Sequence, residues 1–243
     1  MSNRTFVIGD IHGADRALKQ VLDRAKITPD DRFIFLGDYV DGWSDSPAVI
    51  DRLIDLSRSH HCRFIRGNHD ALFTDWLDHK EENDLWLSHG GQSTVTSYLR
   101  CPHEKITVHH QFLKRLKNYY IDEQNRLFLH AGFSKLSGPE NEYYEYSFYW
   151  DRTLWELALA TDPSLTPSDP RFPPRLAHFK EIFIGHTPVN SLGTAKPVKA
   201  ISVWNLDTGA GFKGKLSMME INTKQLYQSD PVYKLYPDES GRN

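Results

Sequence analysis

The chain has 243 residues, a formal net charge of −3, 39% hydrophobic and 25% charged residues. That length holds one large domain with a substantial core, or two small ones. The basic residues are scattered, which argues against a nucleic-acid-tracking stripe, and no apolar stretch reaches the ~18 residues of a membrane-spanning helix.

Residues 5–8 read as a short buried strand. Ala14, Ala17, Leu18, Val21, Leu22 and Ala25 then recur at helical spacing. Residues 32–36 form a second apolar strand. Ser46-Pro47 reads as a helix N-cap with proline at the first helical position, and Val49, Ile50, Leu53, Ile54 and Leu56 continue that helix. Residues 62–65 are a third strand. Strand alternating with helix predicts parallel strands covered by helices, with ligand sites beyond their carboxyl ends. Residues 71–119 turn mostly helical, and 127–129 return to strand. Residues 161–174 hold five of the thirteen prolines and read as a loop. Residues 181–184 are a strand, and 199–206 with 215–221 are expected to form a closing strand pair around Asp207-Thr208-Gly209-Ala210-Gly211. The polar tail, about 229–243, is expected to be partly mobile. There is no internal repeat or linker, so the expectation is one domain over 1–243. Residues 1–6 run straight into the first strand without a signal-peptide core, and Cys62 and Cys101 lack paired spacing. Both point to a cytoplasmic protein with reduced thiols.

Five blocks stand against this pattern: Gly9-Asp10-Ile11-His12-Gly13, Gly37-Asp38-Tyr39-Val40-Asp41, Gly67-Asn68-His69-Asp70, His130-Ala131-Gly132 and Gly185-His186-Thr187-Pro188. The first three sit at predicted strand ends. Asp10, His12, Asp38, Asn68, His130 and His186 make an oxygen and nitrogen set suited to two divalent metals. Two cations ~3.5–4 Å apart need an anion between them, and Asp38 is the best candidate for that bridge. Asp10 and His12 suit one metal; Asn68, His130 and His186 suit the other. Such a centre points to hydrolysis at phosphorus.

On these blocks the chain resembles the calcineurin-like metallophosphoesterases, most of all the bacterial branch that includes lambda phosphatase, phosphoprotein phosphatases and symmetrical diadenosine tetraphosphatases. The resemblance spans roughly residues 5–217 and includes Trp86 to Tyr98 and Asp207-Thr208-Gly209-Ala210. It implies an α/β fold with a central β-sandwich flanked by helices, the 71–119 segment being a helical insert. It implies metal-dependent phosphoester hydrolysis by in-line attack of a metal-bridging hydroxide. The mixed His/Asp/Asn donor set is expected to take two divalent ions, manganese first, with iron or zinc as alternatives. His69 would be the general acid, oriented by Asp41. The expected substrate is a phosphorylated protein or small phosphoester, as for a Ser/Thr protein phosphatase. The alternatives are a dinucleoside polyphosphate hydrolase and, in another class, a non-catalytic phospho-ligand-binding module.

One departure stands out. The family pattern Val-Asp-Arg-Gly is here Val40-Asp41-Gly42-Trp43, so its phosphate-clamping Arg is missing. Trp150-Asp151-Arg152 resembles the Trp-x-Arg carrying the family's second phosphate-binding Arg, which makes Arg152 the expected anchor. His89-Gly90-Gly91 imitates the fourth block but lies in a polar, helix-like stretch, and reads as structural. Arg66 is expected to support its turn. Asp207 is open between bracing a metal-bound His and a simple turn role. Residues 140–150 read as a packed aromatic loop or a substrate rim.

Overall fold

Short apolar runs that end in glycine build the frame. In the computed structural model, which describes residues 4–81 and 83–242, β1 (Thr5–Ile8) and β2 (Arg32–Phe35) pair in parallel, with α1 (Asp15–Ala25) crossing between them. Helix α1 buries Ala17, Leu18, Val21, Leu22 and Ala25, the face its spacing predicts. Helix α2 (Ser46–Ser59) leads to β3 (His61–Phe64), parallel to β2. It begins at Ser46 rather than after it, because the Ser46 hydroxyl accepts from the Asp41 N–H at 3.3 Å instead of capping the helix. The insert follows as α3 (Asn68–His79), the single turn α4 (Asp84–Trp86), α5 (Gln92–Tyr98) and α6 (His103–Lys114).

The second half holds β4 (Tyr119–Ile121), β5 (Arg126–Leu129), α7 (Ser147–Trp150), α8 (Thr153–Ala160), α9 (Pro174–Ala177), β6 (Glu181–Ile184), β7 (Val198–Ala200) and β8 (Val203–Asn205). It closes with β9 (Ser217–Glu220), β10 (Leu226–Gln228) and α10 (Val232–Leu235). Two mixed five-stranded sheets result, ordered β10-β9-β1-β2-β3 and β4-β5-β6-β8-β7. They face each other across Val7, Ile34, Leu36, Met219 and Ile221 on one side and Phe128, Phe183 and Leu206 on the other. The outer face of the first sheet packs on α1 and α2, and that of the second on α8 and α9. This is a β-sandwich flanked by helices.

Two expectations need correction. Residues 199–206 and 215–221 do not pair with each other. The first run is itself a hairpin, β7 to β8, with β8 parallel to β6, while β9 lies antiparallel to β1 in the other sheet. Each run finds its partner within a different sheet, so the chain between them crosses the sandwich. The tail is also more ordered than its polarity suggests: α10 buries Val232, and Tyr236 stacks on Trp43 with ring centroids 5.2 Å apart. Strand β4, against β5, was not anticipated, since three residues carry too little periodicity to read.

Candidate active site

Because β1, β2 and β3 run parallel, as do β5 and β6, the loops leaving their carboxyl ends meet at one edge of the sandwich. The backbone there is bent into conformations that L-residues rarely take. His12, Asp38, Asp41 and His186 have φ of 53°, 54°, 72° and 68°. Each such position costs on the order of 1–3 kcal/mol, so the surrounding contacts must hold it. Asp70 does much of that holding: its carboxylate accepts from the backbone N–H of Asp38 (2.8 Å), Tyr39 (2.8 Å) and Gly67 (2.9 Å), tying the second block to the third. A Cβ at Gly67 would collide with Asp38 Oδ1, so only glycine lets the two loops touch.

All six candidate ligands come together, and none is more than 7% exposed. Asp10, His12 and Asp38 each offer one atom within 4.8 Å of the others. His12 Nε2 lies 3.4 Å from Asp38 Oδ2 and 3.9 Å from Asp10 Oδ2. On the other side of Asp38, His130 Nε2 is 3.4 Å from Asp38 Oδ2 and 3.2 Å from Asn68 Oδ1, and His186 Nδ1 is 3.0 Å from Asn68 Oδ1. Asp38 therefore touches both groups. Donor atoms about 3–3.5 Å apart suit ions bound at about 2.0–2.2 Å. His130 Nδ1 faces the Leu36 carbonyl at 2.8 Å and His12 Nδ1 faces Val40 O at 3.2 Å, which aims each Nε2 at the cluster.

The electrostatics fit the same occupant. Burial pushes the Asp10 carboxyl well above its usual range, and the charges of Asp207 and Asp38 add to that. Burial also disfavours charge on Asp38, but the imidazoles of His130, His69 and His12 hold it well below the usual range. His130 is raised to about 10: burial opposes its charge, and Asp38 and Asp10 outweigh burial. His12 and His186 are lowered, by burial first, which leaves their lone pairs free to bind. Buried carboxylates and aimed imidazoles together call for positive charge at this point, which divalent cations supply.

His69 stands beside this cluster. Its Nδ1 is 2.6 Å from Asp41 Oδ2, and its ring meets His12 edge-on at 5.0 Å. With Nδ1–H donating to Asp41, Nε2 is the atom free for exchange. The insert supports Asp41: the Trp86 indole N–H donates to Asp41 Oδ2 at 2.5 Å, and Thr94 Oγ1 accepts from the Asp41 N–H at 2.8 Å. These two contacts give the Trp86 to Tyr98 stretch its role. His89 stays out of the cluster. Asp207 takes the turn role, accepting from the Gly209 N–H at 3.0 Å. Arg152 Nε donates to His186 Nε2 at 3.4 Å. A cleft of about 500 Å³ opens on this group, lined by His69, Leu72, Trp86, Trp150, Arg152 and Arg242 among others. Asp70, Trp86, Thr94 and Arg242 were not singled out from sequence. The first three lie inside or beside recognised blocks, whereas nothing local marks Arg242.

Comparison with known proteins identifies the family. The calcineurin-like phosphoesterase family model matches residues 4–195, and the chain belongs to that family. It is therefore an enzyme of the metallophosphoesterase class, whose chemistry depends on a pair of metal ions. It is 27% identical over 230 residues, 88% of each chain, to the asymmetrical bis(5'-nucleosyl)-tetraphosphatase PrpE of Anoxybacillus flavithermus. It is 31% identical to the PP2A-like serine/threonine-protein phosphatase PPG1 of Saccharomyces cerevisiae, over 103 residues that make 38% of this chain and 26% of that one. Among solved structures, a putative diadenosine tetraphosphatase matches its fold with a TM-score of 0.63 at 17% identity, covering 94% of this chain and 93% of the other. No helix among the described residues is long and apolar enough to cross a membrane.

Proposed function

We propose that the protein is a manganese-dependent phosphomonoesterase of Ser/Thr protein phosphatase type. In this reading Asp10, His12, Asp38, Asn68, His130 and His186 hold the metals, His69 is the general acid, Asp41 orients it, and Arg152 binds phosphate. The carrying observation is the 2.6 Å His69–Asp41 contact, with His69 on the wall of a cleft that the candidate ligands Asn68 and His186 also line. A metal pair held there supplies Lewis acidity and a water of lowered pKa. The protein's own residues do the rest. Arg152 orients the phosphoryl group by charge-assisted hydrogen bonds. His69 protonates the departing oxygen, and the Asp41 carboxylate keeps its Nδ1 proton in place meanwhile. The walls beyond the phosphoryl position include Leu72, Leu85, Trp86 and Trp150, apolar surface suited to an organic group bearing one phosphate. We place the protein in the cytoplasm on its two free thiols, Cys62 and Cys101.

A second reading, hydrolysis of a dinucleoside polyphosphate, is favoured by relatives of that name matching across nearly the whole chain. Trp150, 45% exposed on the cleft rim, would then stack a base. One set of assays separates the readings. With manganese, the protein should hydrolyse p-nitrophenyl phosphate and a phosphoserine peptide faster than diadenosine tetraphosphate; the reverse order would favour the second. Asp38→Asn should abolish turnover and lower metal content. His69→Asn should keep its metal and lose about 10²–10⁴-fold in kcat. The loss should be greater for phosphoserine, whose alkoxide leaves poorly, than for p-nitrophenyl phosphate. An equal loss on both substrates would remove His69 as the acid. No turnover with manganese, iron or zinc would leave only a binding module.

A further inference from the structure

The second block lacks an arginine where the family pattern has one, yet the side chain of another arginine runs past that place. A Cβ built on Gly42 would lie 3.1 Å from Cγ of Arg242, two hundred positions along the chain. The Arg242 side chain thus fills the space into which a side chain at 42 would grow. Gly42 itself has φ of 97°, a conformation closed to arginine without strain. From there Arg242 reaches the cleft: Nη1 is 3.0 Å from His12 Nε2, Nε donates to the His89 carbonyl at 3.2 Å, and Cζ lies 5.0 Å over the Phe212 ring. All three partners are neutral groups, and no carboxylate lies within ion-pair distance of Arg242 among the described residues.

The approach of Arg242 is held by the same departure that removed the arginine. Trp43, where the family has glycine, is fully buried; it stacks on Tyr236 and donates its indole N–H to Ala210 O at 2.7 Å. Ser44 N and Oγ donate to the two oxygens of Glu239 at 2.9 and 2.7 Å, and the Arg242 N–H donates to Gly211 O at 2.7 Å. Gly42 makes room, Trp43 and Ser44 dock the tail, and the tail returns a cation to the cleft that Arg152 also lines.

We infer that Arg242 is a phosphate-binding residue of this enzyme, delivered by the C-terminal tail in place of an arginine at position 42. The two guanidiniums, Arg152 and Arg242, flank the phosphoryl position from different parts of the chain. A metal on His12 Nε2 would take the lone pair that Arg242 meets in this structure, leaving the guanidinium free for charge-assisted hydrogen bonds to phosphoryl oxygens. The inference rests on the phosphoester reading above, and its test separates the two.

The test uses the manganese-loaded full chain and inorganic phosphate, with binding read by calorimetry, KM for p-nitrophenyl phosphate, and metal content by elemental analysis. Arg242→Ala should weaken phosphate binding and raise KM by about 10- to 100-fold with metal content unchanged. Arg242→Lys should fall between, keeping charge but losing the planar fork. Phosphate affinity and KM equal to wild type in Arg242→Ala would overturn the inference. So would a gain in affinity, which would make Arg242 a blocking group, or a change confined to metal content, which would make it a metal-site prop. Wild-type protein that neither binds phosphate nor turns over would instead overturn the phosphoester reading itself.

Discussion

At the scale of single residues, the site depends on a carboxylate that touches neither proposed metal position nor substrate. Asp70 is fully buried and accepts three backbone N–H groups. Burial and the nearby Asp38 charge raise its carboxyl to about 7, against the pull of those hydrogen bonds. The unfavourable environment is offset because the three N–H groups would otherwise be buried without acceptors. Asp70→Asn presents an NH₂ to some of these donors and should destabilise the protein by about 2–4 kcal/mol. It should also weaken metal uptake, since Asp38 rides on the loop that Asp70 anchors. Urea unfolding with and without manganese measures both effects; a variant within about 0.5 kcal/mol of wild type would show that the loops hold themselves.

At the scale of elements, the helical insert completes the proposed general-acid pair. Trp86, in α4, packs near Phe73 and Trp76 at 6.5 and 6.4 Å between ring centroids and gives its N–H to Asp41. Trp86→Phe keeps the packing and removes the donor. Asp41 then has one fewer restraint on its angle to His69, and kcat should fall about 3- to 10-fold with KM and metal content unchanged. The double variant with His69→Asn should lose little more than His69→Asn alone, because both act through one proton. Full additivity would place Trp86 in packing only.

The insert and tail also mark the boundary of what sequence could tell. Strands such as Thr5–Ile8 and Glu181–Ile184 and the face of α1 were legible because apolar periodicity is local. The candidate ligand blocks stand out because they follow those strands. The partners of β8 and β9 were not, since each chooses a neighbour distant in sequence. Trp86, Thr94 and Arg242 act across 45, 53 and 230 residues of chain, and no local pattern encodes such contacts.

At the scale of the whole molecule, the proposed metal centre lies across the seam between the two sheets. Asp10, His12, Asp38 and Asn68 leave the ends of β1, β2 and β3; His130 and His186 leave β5 and β6. Without cations, the seam at this edge rests on hydrogen bonds such as His130 Nδ1 to Leu36 O, 2.8 Å, and His186 N to Asp10 Oδ2, 3.0 Å, beside a carboxylate that burial disfavours as an anion. Ions bound by donors from both sheets would join them directly, and whatever binds only the folded state stabilises it by mass action, about 4 kcal/mol at a thousandfold excess over Kd. Thermal unfolding should therefore shift down by several degrees on chelation and recover with manganese. Amide exchange should rise at both groups of strand ends together, around Asp10 to Asp41 and around His130 and His186. Faster exchange in one sheet alone would mean that the metals belong to that sheet and that the seam is held by its apolar layer, Val7, Ile34 and Leu36 against Phe128, Phe183 and Leu206. The joint response is expected because Asp38 touches both donor groups, so neither can loosen without moving the residue that the other shares.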